Sequence, residues 1–163
     1  DIARAFGRAS GSYDAAARLQ ARVRDELLSR LDGLSLEPSV VMDLGAGTGL
    51  ATGALKRRYR KAQVVAVDLA EGMLRLARRR SRFWRPFRCV AGDAARLPFR
   101  EGSVDLVFSN LMLQWCGGLD ATLAEIARVL RPGGLFLFGS FGPETLRELR
   151  GAWAEVEIGR AHV

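Results

Sequence analysis

Asp43-Leu44-Gly45-Ala46-Gly47-Thr48-Gly49 joins a carboxylate to three alternating glycines, and a second carboxylate, Asp68, follows 19 residues after Gly49. Glycines at this spacing let backbone N–H groups approach a ligand closely, and a helix starting there adds partial positive charge. A carboxylate at Asp68 can accept hydrogen bonds from both ribose hydroxyls of an adenosine. Nicotinamide dinucleotides are the natural competitor, because their G-x-G-x-x-G fingerprint occupies the same place. Here position 50 is Leu and the turn reads G-x-G-x-G. Asp43 is also awkward beside a pyrophosphate, since two negative groups would be brought together, whereas it suits an ammonium. Two plainer roles compete: the glycines could serve only a tight turn, and Asp68 could merely cap a helix.

The elements that must hold these residues alternate regularly. Leu19, Val23, Leu27 and Leu31 recur every four residues, which predicts an amphipathic helix over Tyr13 to Leu31, broken by Gly33 and Pro38. Ser39 to Leu44 reads as a first strand feeding the glycine turn, and Leu50, Ala51, Ala54 and Leu55 form one face of the helix after it. The unit repeats with strand Ala62 to Val67 and a helix on Met73, Leu74 and Ala77. Phe87 to Val90 is a weaker third strand and Val104 to Ser109 a fourth. A helix on Leu119, Leu123, Ile126, Ala127 and Leu130 is stopped by Arg131-Pro132-Gly133-Gly134. Leu135 to Phe141 is the fifth strand, and a last helix carries Leu146, Leu149, Trp153 and Val156. Such alternation implies an α/β fold with a parallel sheet covered on both faces.

Composition bounds the rest. The chain has 163 residues, is 48% hydrophobic and 26% charged, and fits one globular domain. No apolar run approaches the roughly 20 residues of a membrane span, so an intracellular, cytoplasmic protein is expected. Cys89 and Cys116 are too few and too far apart for a disulfide framework or a metal site. The net charge of +7 admits a nucleic-acid, lipid or acidic-protein partner, yet 23 of the 25 basic residues are Arg, a skew that a GC-rich gene produces whatever the partner. No motif with base-contacting geometry accompanies the charge, so neither nucleic acid nor membrane is expected as a partner.

S-adenosylmethionine carries an amine, a sulfonium and a ribose, and so has a use for both Asp43 and Asp68. In these stretches the chain resembles the class I S-adenosylmethionine-dependent methyltransferases. Gly92-Asp93-Ala94 with Leu97-Pro98-Phe99 is similar to the family segment after the third strand, where the acid accepts from the adenine amine. Asp105 within VDLVFSN and the Arg-Pro-Gly-Gly turn match the pattern too, with Asp105 read as structural. The resemblance implies a Rossmann-like doubly wound sheet, S-adenosylmethionine as cofactor, and a cofactor site made of Asp43, Gly45, Ala46, Gly47, Gly49, Asp68, Leu69, Met73, Gly92, Asp93, Ala94 and Asn110. By spacing alone, Met73 is a packing residue; the family places such a Met beside adenine. No metal is expected.

Stretches outside the cofactor motifs resemble, more narrowly, the malonyl-acyl-carrier-protein O-methyltransferases of biotin synthesis: Ala5-Phe6-Gly7-Arg8 with Tyr13-Asp14, Ser109-Asn110-Leu111 with Gln114-Trp115-Cys116, and Phe141-Gly142-Pro143-Glu144-Thr145-Leu146. The last is also similar to a complex I assembly factor acting on protein arginine, which keeps the acceptor open. The resemblance implies malonyl-acyl carrier protein as partner and a monomeric enzyme with no general base, because a malonyl carboxylate is already ionised near neutral pH. Tyr13, Gln114 and Trp115 are the substrate-side candidates, and an unidentified Arg is expected to steer the carboxylate. The run Arg75, Arg78, Arg79, Arg80, Arg82, Arg85 and Arg88 is either a rim for the acidic carrier or a solvated helix face. Residues 1–38 are expected as a helical lid, 39–156 as the cofactor core lacking strands 6 and 7, and 157–163 (EIGRAHV), which resembles a translated sequencing adapter, as a non-native tail.

Overall fold

The computed structural model describes residues 17–142. Tyr13, the expected last helix and the tail lie outside them. Helix α1 is helical through residues 17–30, and β1 (Val40–Leu44), α2 (Leu50–Arg58), β2 (Gln63–Asp68), α3 (Glu71–Arg80), β3 (Arg88–Ala91), β4 (Val104–Asn110), a 3-10 turn at Leu113–Trp115, α4 (Leu119–Val129) and β5 (Leu130–Gly139) follow. The strands form one sheet in the order β3-β2-β1-β4-β5, and every pairing is parallel. Among the described residues this is the expected Rossmann-like, doubly wound arrangement.

Alternation along the strands produces two cores. Val41, Val64, Ala66, Leu106 and Phe108 face Leu27 and Leu31 of the α1 region, Leu55 of α2 and Leu74 and Ala77 of α3. Met42, Leu44, Val65, Val67 and Val107 point to the other side, against Leu113 and against Ile126 and Val129 of α4. Strands buried on both faces read as continuous apolar runs, which is why β1, β2 and β4 are legible without a strict alternation. Because the strands are parallel, all their carboxyl ends reach one edge of the sheet, and the turns leaving β1, β2, β3 and β4 meet there.

The fifth strand differs from expectation. It begins at Leu130, where α4 has just ended, and runs to Gly139 rather than Phe141. Val104 pairs with Leu130 and Leu106 with Leu135, so Arg131-Pro132-Gly133-Gly134 is pushed out as a bulge opposite Asp105. Pro132 has no N–H for the ladder, and Gly133 takes φ +78°. Asp105 secures this end of the sheet: its Oδ2 accepts from the N–H groups of Ser39 and Val40 at 2.6 and 2.7 Å, and its Oδ1 pairs with Arg131 Nε at 2.7 Å. The structural role expected for Asp105 is the one observed.

Candidate functional site

The turn after β1 begins where Gly45 and Ala46 donate their N–H groups to the Val67 carbonyl at 2.8 and 3.1 Å, pulling the chain across the end of β2. Gly45, Gly47 and Gly49 have φ of +76°, +53° and +80°, a region that favours glycine. The glycines serve different purposes. A Cβ on Gly49 would lie 2.9 Å from Ala77 Cβ, so this glycine lets α3 pack against the turn. A Cβ on Gly47 would meet nothing within 4 Å, so this glycine opens onto free space.

Asp68 closes the turn from the side of β2. Its Oδ2 accepts from Gly47 N–H at 2.8 Å and its Oδ1 from Ala70 N–H at 2.8 Å, which fixes the carboxylate at the start of α3. Asp68 therefore braces the turn as well as facing the cleft, and the N-cap position of α3 belongs to Ala70. Asp43 lies deeper, 1% exposed at the end of β1, and accepts from Thr52 Oγ1 at 2.5 Å. Burial pushes its carboxyl up to about 7, against the Thr52 hydrogen bond and with help from the Asp68 charge. A cation placed between these two acids would favour the ionised form of Asp43.

Around this turn lies a cleft of about 1000 Å³. Of the expected cofactor residues, Asp43, Gly45, Ala46, Gly47, Asp68, Leu69, Met73, Gly92, Asp93, Ala94 and Asn110 line it; Gly49 does not, because its place is taken up by the contact with Ala77. Leu69 is 74% and Met73 44% exposed, so both present apolar surface to the cleft instead of packing in the core. Asp93 Oδ1 accepts from Ala95 N–H at 2.9 Å, which holds its turn closed while the carboxylate stays exposed. Two buried side-chain oxygens at the wall, Asn110 Oδ1 and Thr122 Oγ1, have no hydrogen-bond partner. Polar atoms buried without a partner point to one supplied by a ligand or water.

The substrate-side candidates separate. Trp115 lines the cleft and is 80% exposed. Gln114 does not line it: Nε2 donates to the Leu111 carbonyl at 2.6 Å and Oε1 accepts from Ser140 Oγ, just after β5, at 3.5 Å, so its polar partners come from the protein. That loop carries strain. Leu111, buried beside the cleft, has φ +52°, a cost of order 1 kcal/mol for a non-glycine residue.

Several contributors escape a reading by motif. Thr52 holds Asp43 from one turn inside α2, on a face otherwise marked by Leu and Ala. Arg128 donates to the Leu97 and Phe99 carbonyls at 3.1 and 2.9 Å and to Glu125, while Glu125 accepts from Leu97 N–H at 2.8 Å. This clasp fixes the Leu97-Pro98-Phe99 segment on α4, and the Arg128 guanidinium, followed by the Leu97 N–H, holds Glu125 down at about 2. A further wall comes from α1, whose Ala17, Gln20, Ala21 and Arg24 line the cleft; Asn110 Nδ2 donates to the Gln20 carbonyl at 3.0 Å. No helix among the described residues is long and apolar enough to cross a membrane, and none of their His, Cys, Asp and Glu clusters could hold a metal.

The chain is similar to known proteins along this same region. Malonyl-[acyl-carrier protein] O-methyltransferase of Halorhodospira halophila is 53% identical over 162 residues, covering 99% of this chain and 55% of that protein. Its counterpart in Xylella fastidiosa is 50% identical over 157 residues, covering 96% of this chain and 53% of that protein. The chain thus spans about half the length of these curated relatives. Among solved structures, a geranyl diphosphate methyltransferase in complex with GPP and sinefungin superposes with a TM-score of 0.64 at 25% identity, covering 74% of this chain and 45% of that one. The methyltransferase domain model matches residues 42–138, more than half the chain and every turn that lines the cleft from the sheet, and the chain belongs to that family.

Proposed function

We propose that this chain carries the cofactor half of a cytoplasmic, monomeric S-adenosylmethionine-dependent O-methyltransferase that esterifies the free carboxylate of malonyl-acyl carrier protein, an early step of biotin synthesis. The observation that carries the cofactor reading is the meeting of the open Gly47 turn, Asp68 and Asp93 in one cleft. The residues present fit that cofactor. Gly47 leaves room for backbone approach, Asp68 and Asp93 offer acceptors to ribose hydroxyls and an adenine amine, and Leu69 and Met73 offer apolar flanks to a base. The bound cofactor supplies an electrophilic methyl group on a sulfonium. Asp43 sits where it can answer a positive charge, and ionises more readily when one is present.

The malonyl acceptor is supported by the names of the relatives. The ionisable side chains lining the cleft among the described residues are Arg24, Asp43, Asp68, Asp93 and Cys116. A carboxylate acceptor needs no proton removed, so the task left to the protein is to hold an oxygen near the methyl and exclude water. Trp115 and the strained Leu111 loop, which line the cleft, are the groups we assign to shaping that approach.

The test uses the gene extended to its natural ends: mass spectrometry of malonyl-loaded carrier after incubation with S-adenosylmethionine. A gain of one methyl on the malonyl group, abolished by Asp43→Ala, is expected. No gain while the cofactor still binds overturns the acceptor and turns attention to a protein arginine.

A further inference from the structure

The cleft is acidic except at one point. Asp43, Asp68 and Asp93 line it, and Arg24 is the one cationic side chain among the described residues that does so, although the chain carries 25 basic residues in all. Arg24 reaches that place because α1 is held in a fixed rotation. Leu27 is buried in the core, and the Val23 and Leu27 side chains pack so closely on Gly139 that a Cβ there would lie 2.8 and 3.1 Å from them. The Gln20 carbonyl is tied to Asn110 at the end of β4. Ala17, Gln20, Ala21 and Arg24, spaced three and four apart, therefore form the flank turned to the cleft.

We propose that Arg24 is the carboxylate clamp of this cleft. The inference rests on the methyltransferase reading above, in which two carboxylates enter: that of the cofactor's amino-acid end and that of the acceptor. Either would be repelled by Asp68 and Asp93, and by Asp43 where it is ionised, and attracted by one guanidinium. The Arg24 side chain is 21% exposed, so its fork is largely withdrawn from water. Its present partner is weak by comparison: Nε and Nη2 both reach the same Oδ1 of the neighbouring Asp25 at 2.8 Å, and Asp25 is itself 65% exposed. A ligand carboxylate can offer two oxygens to the fork where Asp25 offers one, and exposed ion pairs contribute little. Entry of the ligand exchanges one partner for a better one.

The test compares S-adenosylmethionine with its decarboxylated analogue by calorimetry, and measures kcat and KM for malonyl-carrier, in the protein extended to its natural ends and in Arg24→Gln. A clamp on the cofactor weakens S-adenosylmethionine by about tenfold or more in the variant and leaves the decarboxylated analogue unchanged. A clamp on the acceptor leaves both cofactor affinities unchanged and raises KM by about tenfold with little change in kcat. Asp25→Ala, a change at an exposed position that removes the competing acid, should tighten the same carboxylate by about twofold to threefold and serves where Arg24→Gln fails to fold. Arg24→Lys should recover part of the loss, since it keeps the charge without the fork. Affinity and KM all within twofold of the unmodified protein in Arg24→Gln, or in Asp25→Ala where Arg24→Gln does not fold, would overturn the clamp. If the unmodified protein binds neither cofactor form, the cofactor reading itself has failed and the clamp with it.

Discussion

The two edges of the sheet have opposite characters. At the carboxyl edge of the strands, three aspartates and one arginine line a cleft of about 1000 Å³. At the amino edge, Lys56, Arg57, Arg80, Arg82 and Arg85 surround a hollow of about 260 Å³ walled by Trp84 and Phe87, with no acidic residue in its lining. The contrast follows from winding parallel strands and antiparallel helices: α2 and α3 start at the cleft and end at the hollow. Helix C-termini leave carbonyl groups unpaired and carry partial negative charge, and cations gather on them. Lys56 Nζ donates to the carbonyls of Arg60 and Ala62, in the turn after α2, at 3.2 and 2.7 Å, while the Arg82 guanidinium lies 5.3 Å from the Trp84 ring centre. Arg80, Arg82 and Arg85, part of the densest basic run, thus line the hollow and not the cleft.

The acidic edge is most sensitive at Asp68. Asp68→Ala removes the brace on Gly47 together with a charged acceptor, and should weaken S-adenosylmethionine by about 100-fold in a calorimetric titration, equivalent to about 3 kcal/mol. Gly49→Val acts on the fold rather than the ligand: the φ of +80° and the Ala77 contact should lower stability by about 2–4 kcal/mol in urea denaturation. Gly47→Ala, facing open space, should cost about 1 kcal/mol of stability and act mainly on binding.

Acidity gives a subtler test, because two carboxyls respond in opposite directions. Asp43 has a folded-state pKa raised from 3.8 to about 7, so its contribution favours the folded state at low pH and is lost as pH rises from about 4 to about 7, by at most about 1.4 kcal/mol per pH unit. Cofactor binding should then release a proton below pH 7, seen as a dependence of the binding heat on buffer ionisation. Glu125, lowered to about 2, contributes above its ordinary pKa and loses that contribution as pH falls from about 4.5 toward 2. Glu125→Gln should remove that acid limb from a pH series of urea midpoints. The smallest effect belongs to the basic edge: Arg57→Glu with Arg85→Glu should leave cofactor affinity within about twofold, because neither side chain lines the cleft and salt screens their charge.

Much of the cleft was legible because its residues are demanded by backbone geometry. Three alternating glycines after a buried strand leave few alternatives, and Asp68 and Asp93 stand where strands end, positions that alternation of apolar runs already fixes. What was not legible depends on tertiary contacts. The distinction between Gly47 and Gly49 rests on where Ala77 arrives from α3. Selecting Arg24 from 23 arginines requires the rotation of α1, which Gly139 and Asn110 set from distant sequence. Gln114 reads in the sequence as a substrate-side candidate, yet its Nε2 donates to the carbonyl of Leu111, a residue at a φ of +52° that leucine rarely adopts. The start of β5 was hidden by Pro132, whose bulge is absorbed without ending the strand.

The acidic edge, proposed as an S-adenosylmethionine site, is told from a dinucleotide site by which ligand it binds. Calorimetric titration of the protein with S-adenosylmethionine and, separately, with NAD tests it most directly. Saturable binding of S-adenosylmethionine at one site, lost in Asp68→Ala, with no heat from NAD, is the expected result. Binding of NAD as tight as or tighter than S-adenosylmethionine would contradict the account.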